Sequence, residues 1–522
     1  MLSFSGRVGL IIFGRWFKAN TSRQFEARSG ARSAEDIVAG STSDVIVAGC
    51  GIGGMAAAVA ALQGGATVTV LERAPHDERG GQTRYTEAYF RMKSEHEVTD
   101  DFEAHLAEHA SGYLDPSLVH ATAEPRANWP GIVKSLSFND PDLISTFADS
   151  AGPTIQWMKE FGLRFDFLPT QFLTKSQPRL LPVGGGLALI EALGAAAEKM
   201  GAKFEYETAA TALLSNDDGA VTGVRAVGKS GRARELKANA VVLACGGFEG
   251  NAEMLTRYLG PRSIYLRPVC RGGHYNKGEG IRMALDIGAA PCGDFGSYHA
   301  EPVDPRSGIA EPSVFIFPYG ILINAEGERF TDEAPGTVDA WYERVTRRIY
   351  DQTNGTAHVV LDARHLTIPN YRLGLRTDQP PIVANSIREL APKIGVPAAA
   401  LEATVTRYNG ACRAGDYQPL VLDGLSTQGI TPAKSNWAHP LDRAPFHAYP
   451  IISSNVFTFG GLKVDSRARV LNQEGDPIPG LYAAGEIIGT YYRNYTGATS
   501  VLKGAVFGRL AGTDAARIGE GK

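Results

Sequence analysis

The chain has 522 residues, 43% hydrophobic and 21% charged, with a formal net charge of −4. Single cores stop growing at roughly 250–300 residues, so more than one is expected. The composition is that of a globular protein, neither disordered nor fibrous, and so weak a net charge excludes recruitment of nucleic acid, leaving a small molecule as the expected partner.

Five cysteines (Cys50, Cys245, Cys270, Cys292, Cys412) are odd in number and never spaced C-x-x-C. A disulfide framework, a zinc site, an attached haem and a ferredoxin-type cluster are therefore not expected, and no metal is assigned. Reduced thiols fit a cytoplasmic compartment. Electrons must then leave through another carrier.

In chain order, the first 25 residues carry Arg7, Arg15, Lys18 and Arg23, several serines and no acid. This suits a mitochondrial-type transit segment or an extension with no address. Residues 1–43 lack periodic pattern and are expected outside the fold. From Val45 to Leu71 there is no charge, a length that would cross a membrane. Crowded glycines and the β-branched run Thr67-Val68-Thr69-Val70 instead predict strand, helix, strand, so no transmembrane segment is expected.

Further strands are predicted at Phe204–Glu207, Val221–Val227 and Ala240–Ala244, and a helix over Leu187–Met200 that stops at Gly201. Residues 276–424 differ in texture, with Pro-rich turns, helices over Val338–Gln352 and Ala398–Ala414, and an isolated strand at Ile321–Asn324. They read as an inserted domain. Short strands return at Phe459–Val464 and Gly480–Ala484, and a last helix runs from Ser500 to Ile518.

The segment Asp44-Val-Ile-Val-Ala-Gly49-Cys-Gly51-Ile52-Gly53-Gly54 places G-x-G-x-x-G between a buried strand and an Ala-rich helix. Gly49 makes the turn, Gly51 admits a pyrophosphate, and Gly54 lets helix and strand pack closely. The phosphates then meet the helix amino terminus. Eighteen residues beyond Gly54 stands Glu72, followed by Arg73; a carboxylate there accepts ribose hydroxyls and repels a 2′-phosphate.

Such a unit serves NAD and FAD alike, and three later features favour a flavin. Gly80-Gly81-Gln82-Thr83-Arg84 supplies a second flexible loop beside the pyrophosphate and ring. Asn239 to Gly246-Gly247 reads as a strand ending in a tight turn. Pro479 to Gly485-Glu486 is a strand followed by a helix start at Thr499-Ser500-Val501, whose amino terminus would face the flavin edge where negative charge gathers on reduction.

The segments His274-Tyr-Asn-Lys-Gly278-Glu-Gly280, Tyr319-Gly-Ile-Leu-Ile-Asn to Arg329-Phe330, Phe459-Gly-Gly-Leu-Lys-Val-Asp465 and Tyr495-Thr-Gly-Ala-Thr-Ser500 resemble the flavoprotein oxidoreductases. That family includes fumarate reductase and succinate dehydrogenase flavoproteins and 3-ketosteroid dehydrogenases, and the tricarballylate dehydrogenases are the nearest likeness within it. The resemblance covers about Asp44 to Gly512. It implies an α/β fold in which a Rossmann-like FAD-binding domain (44–275 and 425–519) is interrupted by an α+β cap (276–424), with substrate between cap and flavin. Hydride would pass between a substrate carbon and flavin N5 while a protein group handles the neighbouring proton.

Two departures bear on direction. No arginine follows Arg329-Phe330 where fumarate reductases place their acid, and a histidine usual before Gly460-Gly461 is replaced by Phe457-Thr-Phe. Oxidation of a saturated C–C bond is therefore expected over fumarate reduction. His299 stands where the family often has a substrate-binding histidine. Arg493 would clamp a substrate carboxylate bidentately, flanked by Tyr495, and Tyr319 and His447 are the remaining proton-transfer candidates. The expectation is a dehydrogenase acting on a tricarballylate-like polycarboxylate. A ketosteroid-type dehydrogenase and a flavin-bearing subunit of an electron-transfer assembly are the alternatives, with oxygen, a quinone or a redox protein as electron acceptor.

Overall fold

The computed structural model describes residues 38–110, 124–138, 140–167 and 179–519. The basic segment expected to serve as an address lies outside them, as do residues 1–37 as a whole. No helix among the described residues is long and apolar enough to cross a membrane.

The glycine-bounded strands assemble as one mixed sheet of eight. Its main path runs 469–471, 477–483, 233–243, 38–48, 68–71, 203–205, with a branch from 233–243 through 221–227 to 209–215. The strands nearest the glycine turn are parallel: Val45 to Ala48 pair with Val68 to Leu71 on one side and with Ala240 to Leu243 on the other. These strands are apolar but for Thr69 because both faces are covered, as parallel sheets require; Val45, Val47, Val70 and Val242 have no exposure.

The first strand begins earlier than expected, at Val38, which pairs with Arg234. Residues 38–43, assigned to the extension, therefore belong to the fold. Their Ala-Gly-Ser-Thr-Ser composition carries no alternation, and the ladder with the neighbouring strand, interrupted by a bulge, is what holds them.

The helix Ile52–Gln63 and the carboxy-terminal helix Ser500–Ala516 pack against each other and against this sheet. A Cβ at Gly508 would strike Gly53 O, and one at Gly512 would strike Ala57 O. The Ala-rich face is thus the condition for two helix backbones to touch. Helix Pro141–Lys159, capped by Asp140, closes the layer through the Phe147–Phe507 ring pair at 5.8 Å.

A second sheet has the order 298–303, 446–458, 356–361, 321–323, with 382–384 and 267–268 also paired to 446–458. Alternation sends its side chains into two cores. Leu322, Val359 and Ile451 meet Trp437 and helix Val338–Tyr350 on one face, while Ile321, Val360 and Ala448 meet Leu390, Leu401 and Val405 on the other.

The sheets correct the expected cap limits of 276 and 424. Helix Glu279–Asp286 buries Ile281 and Met283 in the first core, whereas Phe446–Ile452 runs through the second sheet. A Pro-rich texture is a property of loops, and loops do not coincide with the boundary between two cores.

Candidate active site

A cavity of about 500 Å³ runs from the glycine turn to the second sheet. Gly49 turns with φ +111°, a conformation that disfavours any side chain, and a Cβ there would run into Ala244 O. Gly51, Ile52 and Gly53 follow it along the wall. The Ile52 N–H donates to Thr83 Oγ1 at 3.3 Å, which ties the second glycine loop to the helix start.

Glu72 ends the second strand of the βαβ unit and is buried. Its Oε2 accepts the Cys50 N–H at 2.9 Å and its Oε1 accepts the Ala74 N–H at 2.7 Å. Burial raises its pKa despite these bonds. Each oxygen retains a second lone pair for a ribose hydroxyl. Arg73, also on the wall, pairs with Glu279 at 2.5 Å.

Gly81, Gln82, Thr83, Gly246, Glu486, Ser500 and Val501 line the same cavity. Four expected cofactor residues do not. Gly54 packs against Gly49 O, and Gly80 is wedged against Ile190. Arg84 is drawn away by Glu191 at 3.1 Å, and the buried Thr499 hydroxyl is engaged by Tyr491 and Thr496 O. Their part is to shape the loops that the others present.

Deeper in, Asn276 Nδ2 donates to Glu249 Oε1 at 3.1 Å and to Glu486 Oε2 at 3.4 Å, and the Thr458 N–H donates to Glu486 Oε1 at 2.9 Å. Burial raises both carboxyl groups, and the Glu486 charge pushes Glu249 further up. Lys503, on the carboxy-terminal helix, donates to Ile488 O at 2.9 Å and Thr490 Oγ1 at 2.7 Å, and burial brings its pKa down to about 7.

At the other end the cavity meets the second sheet. His299 and Phe457 are ladder partners, and the His299 ring stands 5.1 Å from Phe457 and 4.4 Å from Tyr495. His299 Nε2 lies 3.1 Å from the Tyr342 hydroxyl and Nδ1 3.4 Å from Glu343 Oε2. Burial opposes the Glu343 charge, but His299 and Arg347 outweigh it and hold the carboxyl below its usual range.

Tyr495 is a wall residue with a second duty: its hydroxyl oxygen accepts the Thr499 and Ser500 N–H groups at 3.0 and 3.1 Å, capping the carboxy-terminal helix.

Three expected catalytic residues lie elsewhere. Tyr319 is buried in the core of the second sheet, its hydroxyl donating to Pro419 O at 2.5 Å and its ring packed on Trp437. His447 is enclosed beside His365, 4.9 Å between rings, where burial lowers its pKa. Arg493 is exposed and outside the cavity wall, which Tyr491 and Tyr495 line, while Tyr492 turns to accept the Gly293 N–H at 3.1 Å.

The cation at this end is Arg179, which the sequence reading passed over. Its side chain is 10% exposed, 3.6 Å from Asp339, and its Nη1 is buried without a hydrogen-bond partner. Burial lowers its pKa. Arg376, also on the wall, is bonded to Glu87 at 2.6 Å and Glu311 at 3.1 Å. Glu301 lines the cavity too, and of these three additions only it had a signal, two residues beyond His299 on one strand and so on the same face.

A Cβ at Gly51 would meet only Thr83 Oγ1 at 3.8 Å and Gly80 O at 3.9 Å, and one at Gly485 would meet nothing. Side chains there would fill the cavity, which is what a dinucleotide cradle forbids. A glycine-lined cleft at the carboxyl edge of a parallel sheet, continuous with a pocket of cation, imidazole and aromatic rings, defines a nucleotide-dependent redox enzyme.

The chain belongs to the FAD binding domain family, whose model matches residues 44–502, and it is an FAD-dependent oxidoreductase. It is similar to NADH:acrylate oxidoreductase of Vibrio harveyi, 29% identical over 72% of this chain but only 37% of that protein. It is also 29% identical to 4-oxocyclohexanecarboxylate 2-dehydrogenase of Sinomonas cyclohexanicum, over 88% of this chain and 90% of that one. The structure of a flavocytochrome c3 fumarate reductase in its open conformation superposes with a TM-score of 0.70 at 24% identity, covering 92% of this chain and 79% of the other, which is a likeness of fold.

Proposed function

We propose that this enzyme moves a hydride between flavin N5 and a substrate CH–CH group adjacent to a carbonyl, on a compact acid carrying one carboxylate. Arg179 carries the reading: a buried guanidinium on the cavity wall whose Nη1 lacks a hydrogen-bond partner suits one anionic group. Arg376 is already compensated by Glu87 and Glu311. A tricarballylate-like substrate would bring three negative charges to a wall where Arg179 is bordered by Asp339 and Arg376 by Glu87 and Glu311, so the expected polycarboxylate is not favoured. Phe315, Tyr342, Phe457 and Tyr495 supply the apolar remainder.

FAD would be held by the glycine turn, Glu72, the Gly81–Thr83 loop and the start of the carboxy-terminal helix, and it supplies the two-electron acceptor or donor. His299, fixed by Tyr342 and Glu343, is placed to donate to a substrate carbonyl. Electrons then pass to a separate carrier, a quinone, a redox protein or oxygen.

The named specificities of the two relatives, acrylate and 4-oxocyclohexanecarboxylate, are single-carboxylate acids and support the choice. An anaerobic screen of flavin bleaching tests it, with keto acids and short saturated acids against tricarboxylates and ketosteroids. Bleaching by one-carboxylate acids is the expected result; bleaching by tricarboxylates or steroids alone would refute it.

A further inference from the structure

Glu301 and Glu311 border the cavity at its Arg179 end, and the substrate clamp leaves them without a role. Glu301 is 5% exposed, on the strand 298–303. Glu311 is held by its backbone, its N–H donating to Val269 O at 3.1 Å and its φ at +50°. The cation facing them is Arg376, which is shared with Glu87. Tyr342 faces them from helix Val338–Tyr350. Three carboxyl groups thus meet one guanidinium, and full ionisation would leave buried negative charge uncompensated.

We propose that Glu301 and Glu311 form one proton-holding pair that exchanges a proton with the substrate carbon next to the carbonyl. The proposal rests on the reading above and adds the group that completes the reaction. In the oxidative direction the α C–H bond breaks and its proton goes to the pair. The electron pair left behind becomes the second bond of C=C as hydride departs from the β-carbon to FAD. The substrate loses two hydrogens and two electrons, FAD gains the hydride, and the pair gains a proton. Glu87, 37% exposed beyond Arg376, marks the route by which that proton returns to water.

The alternatives on the wall are occupied. His299 is already assigned to the substrate carbonyl, with the Tyr342 hydroxyl 3.1 Å from its Nε2, and the Tyr495 oxygen accepts two helix N–H groups. The pair is independent of both. Burial, then the Glu311 charge, pushes Glu301 well above the carboxylate range. Burial raises Glu311 to about 7 against the pull of Arg376. Near neutrality Glu301 keeps the proton and Glu311 the charge, so the pair can accept or donate as the direction demands.

The test uses FAD-loaded wild type, Glu301→Gln and Glu311→Gln. Infrared difference spectra across pH 5 to 9, which need no substrate, should show a carboxyl band that titrates near 7 in wild type and is lost in Glu311→Gln. Anaerobic flavin reduction by the best acid of the screen should rise with pH through about 7 in wild type. It should fall roughly 100-fold or more, and lose that pH dependence, in Glu311→Gln with substrate Kd unchanged, the usual scale for a lost proton-transfer group. In Glu301→Gln the pH at which the rate rises should move, and this variant also serves if Glu311→Gln fails to fold. Undiminished reduction in both variants, or an unchanged band, overturns the pair alone. A wild type that no acid bleaches overturns the functional reading and the pair with it.

Discussion

Replacing Arg179 by alanine should weaken substrate binding without touching the flavin. The guanidinium is 10% exposed, bordered by Asp339 at 3.6 Å, and has a buried Nη1 with no protein partner. A carboxylate bonded there makes a charge-assisted contact worth about 1.5–3 kcal/mol. At 1.4 kcal/mol per tenfold, KM for the acid should rise roughly 10- to 150-fold. Because the clamp grips ground state and transition state alike, kcat should fall far less. Arg179→Lys should recover only part of the loss, since an ammonium lacks the planar fork. The assay is steady-state turnover with an artificial electron acceptor, alongside FAD content per chain. Equal KM in wild type and Arg179→Ala, at full flavin occupancy, would refute the reasoning.

Other changes separate the cavity from its surroundings. Arg493→Ala, at an exposed site, should change KM and kcat by less than about twofold, within the range of ordinary surface substitutions; a tenfold loss would return it to the site. Glu72→Ala leaves the Cys50 and Ala74 N–H groups without their partner, about 1–3 kcal/mol each; thermal unfolding should come earlier and FAD titration should show weaker binding, with Glu72→Gln milder. Glu249, Glu301, Glu311 and Glu486 all have raised pKa values in the folded state, so their stabilising contribution is complete below the ordinary value near 4.5 and is lost as pH rises through the raised ones, about 7 for Glu311. The flavin-free protein should therefore lose unfolding temperature between pH 5 and 8, with a shallower loss in Glu301→Gln.

The βαβ unit was legible because its requirements are local. A buried strand, a glycine turn, a small-residue helix and an acid at the next strand end are each written in consecutive residues, and the structure brings them to one cavity wall. Gly54, Gly80, Arg84 and Thr499 show the limit of that reading, since a motif names a loop but not which of its side chains face inward. The second sheet was harder. Its central strand, 446–458, pairs with four others that come from 267–268, 298–303, 356–361 and 382–384, and pairings over such separations leave no periodicity to read. The same cause hid Arg179, which reaches the pocket from a segment with no motif of its own, and it misplaced Tyr319 and His447, whose aromatic and imidazole character suits a core as well as a site.

The most direct test of hydride transfer is the rate of anaerobic flavin reduction by the preferred acid labelled with deuterium at the β-carbon. Slower bleaching with the label, and retention of that deuterium out of solvent during the transfer, is the predicted result. Bleaching at equal rates, with deuterium washed into water before the flavin is reduced, would contradict a hydride passing from that carbon.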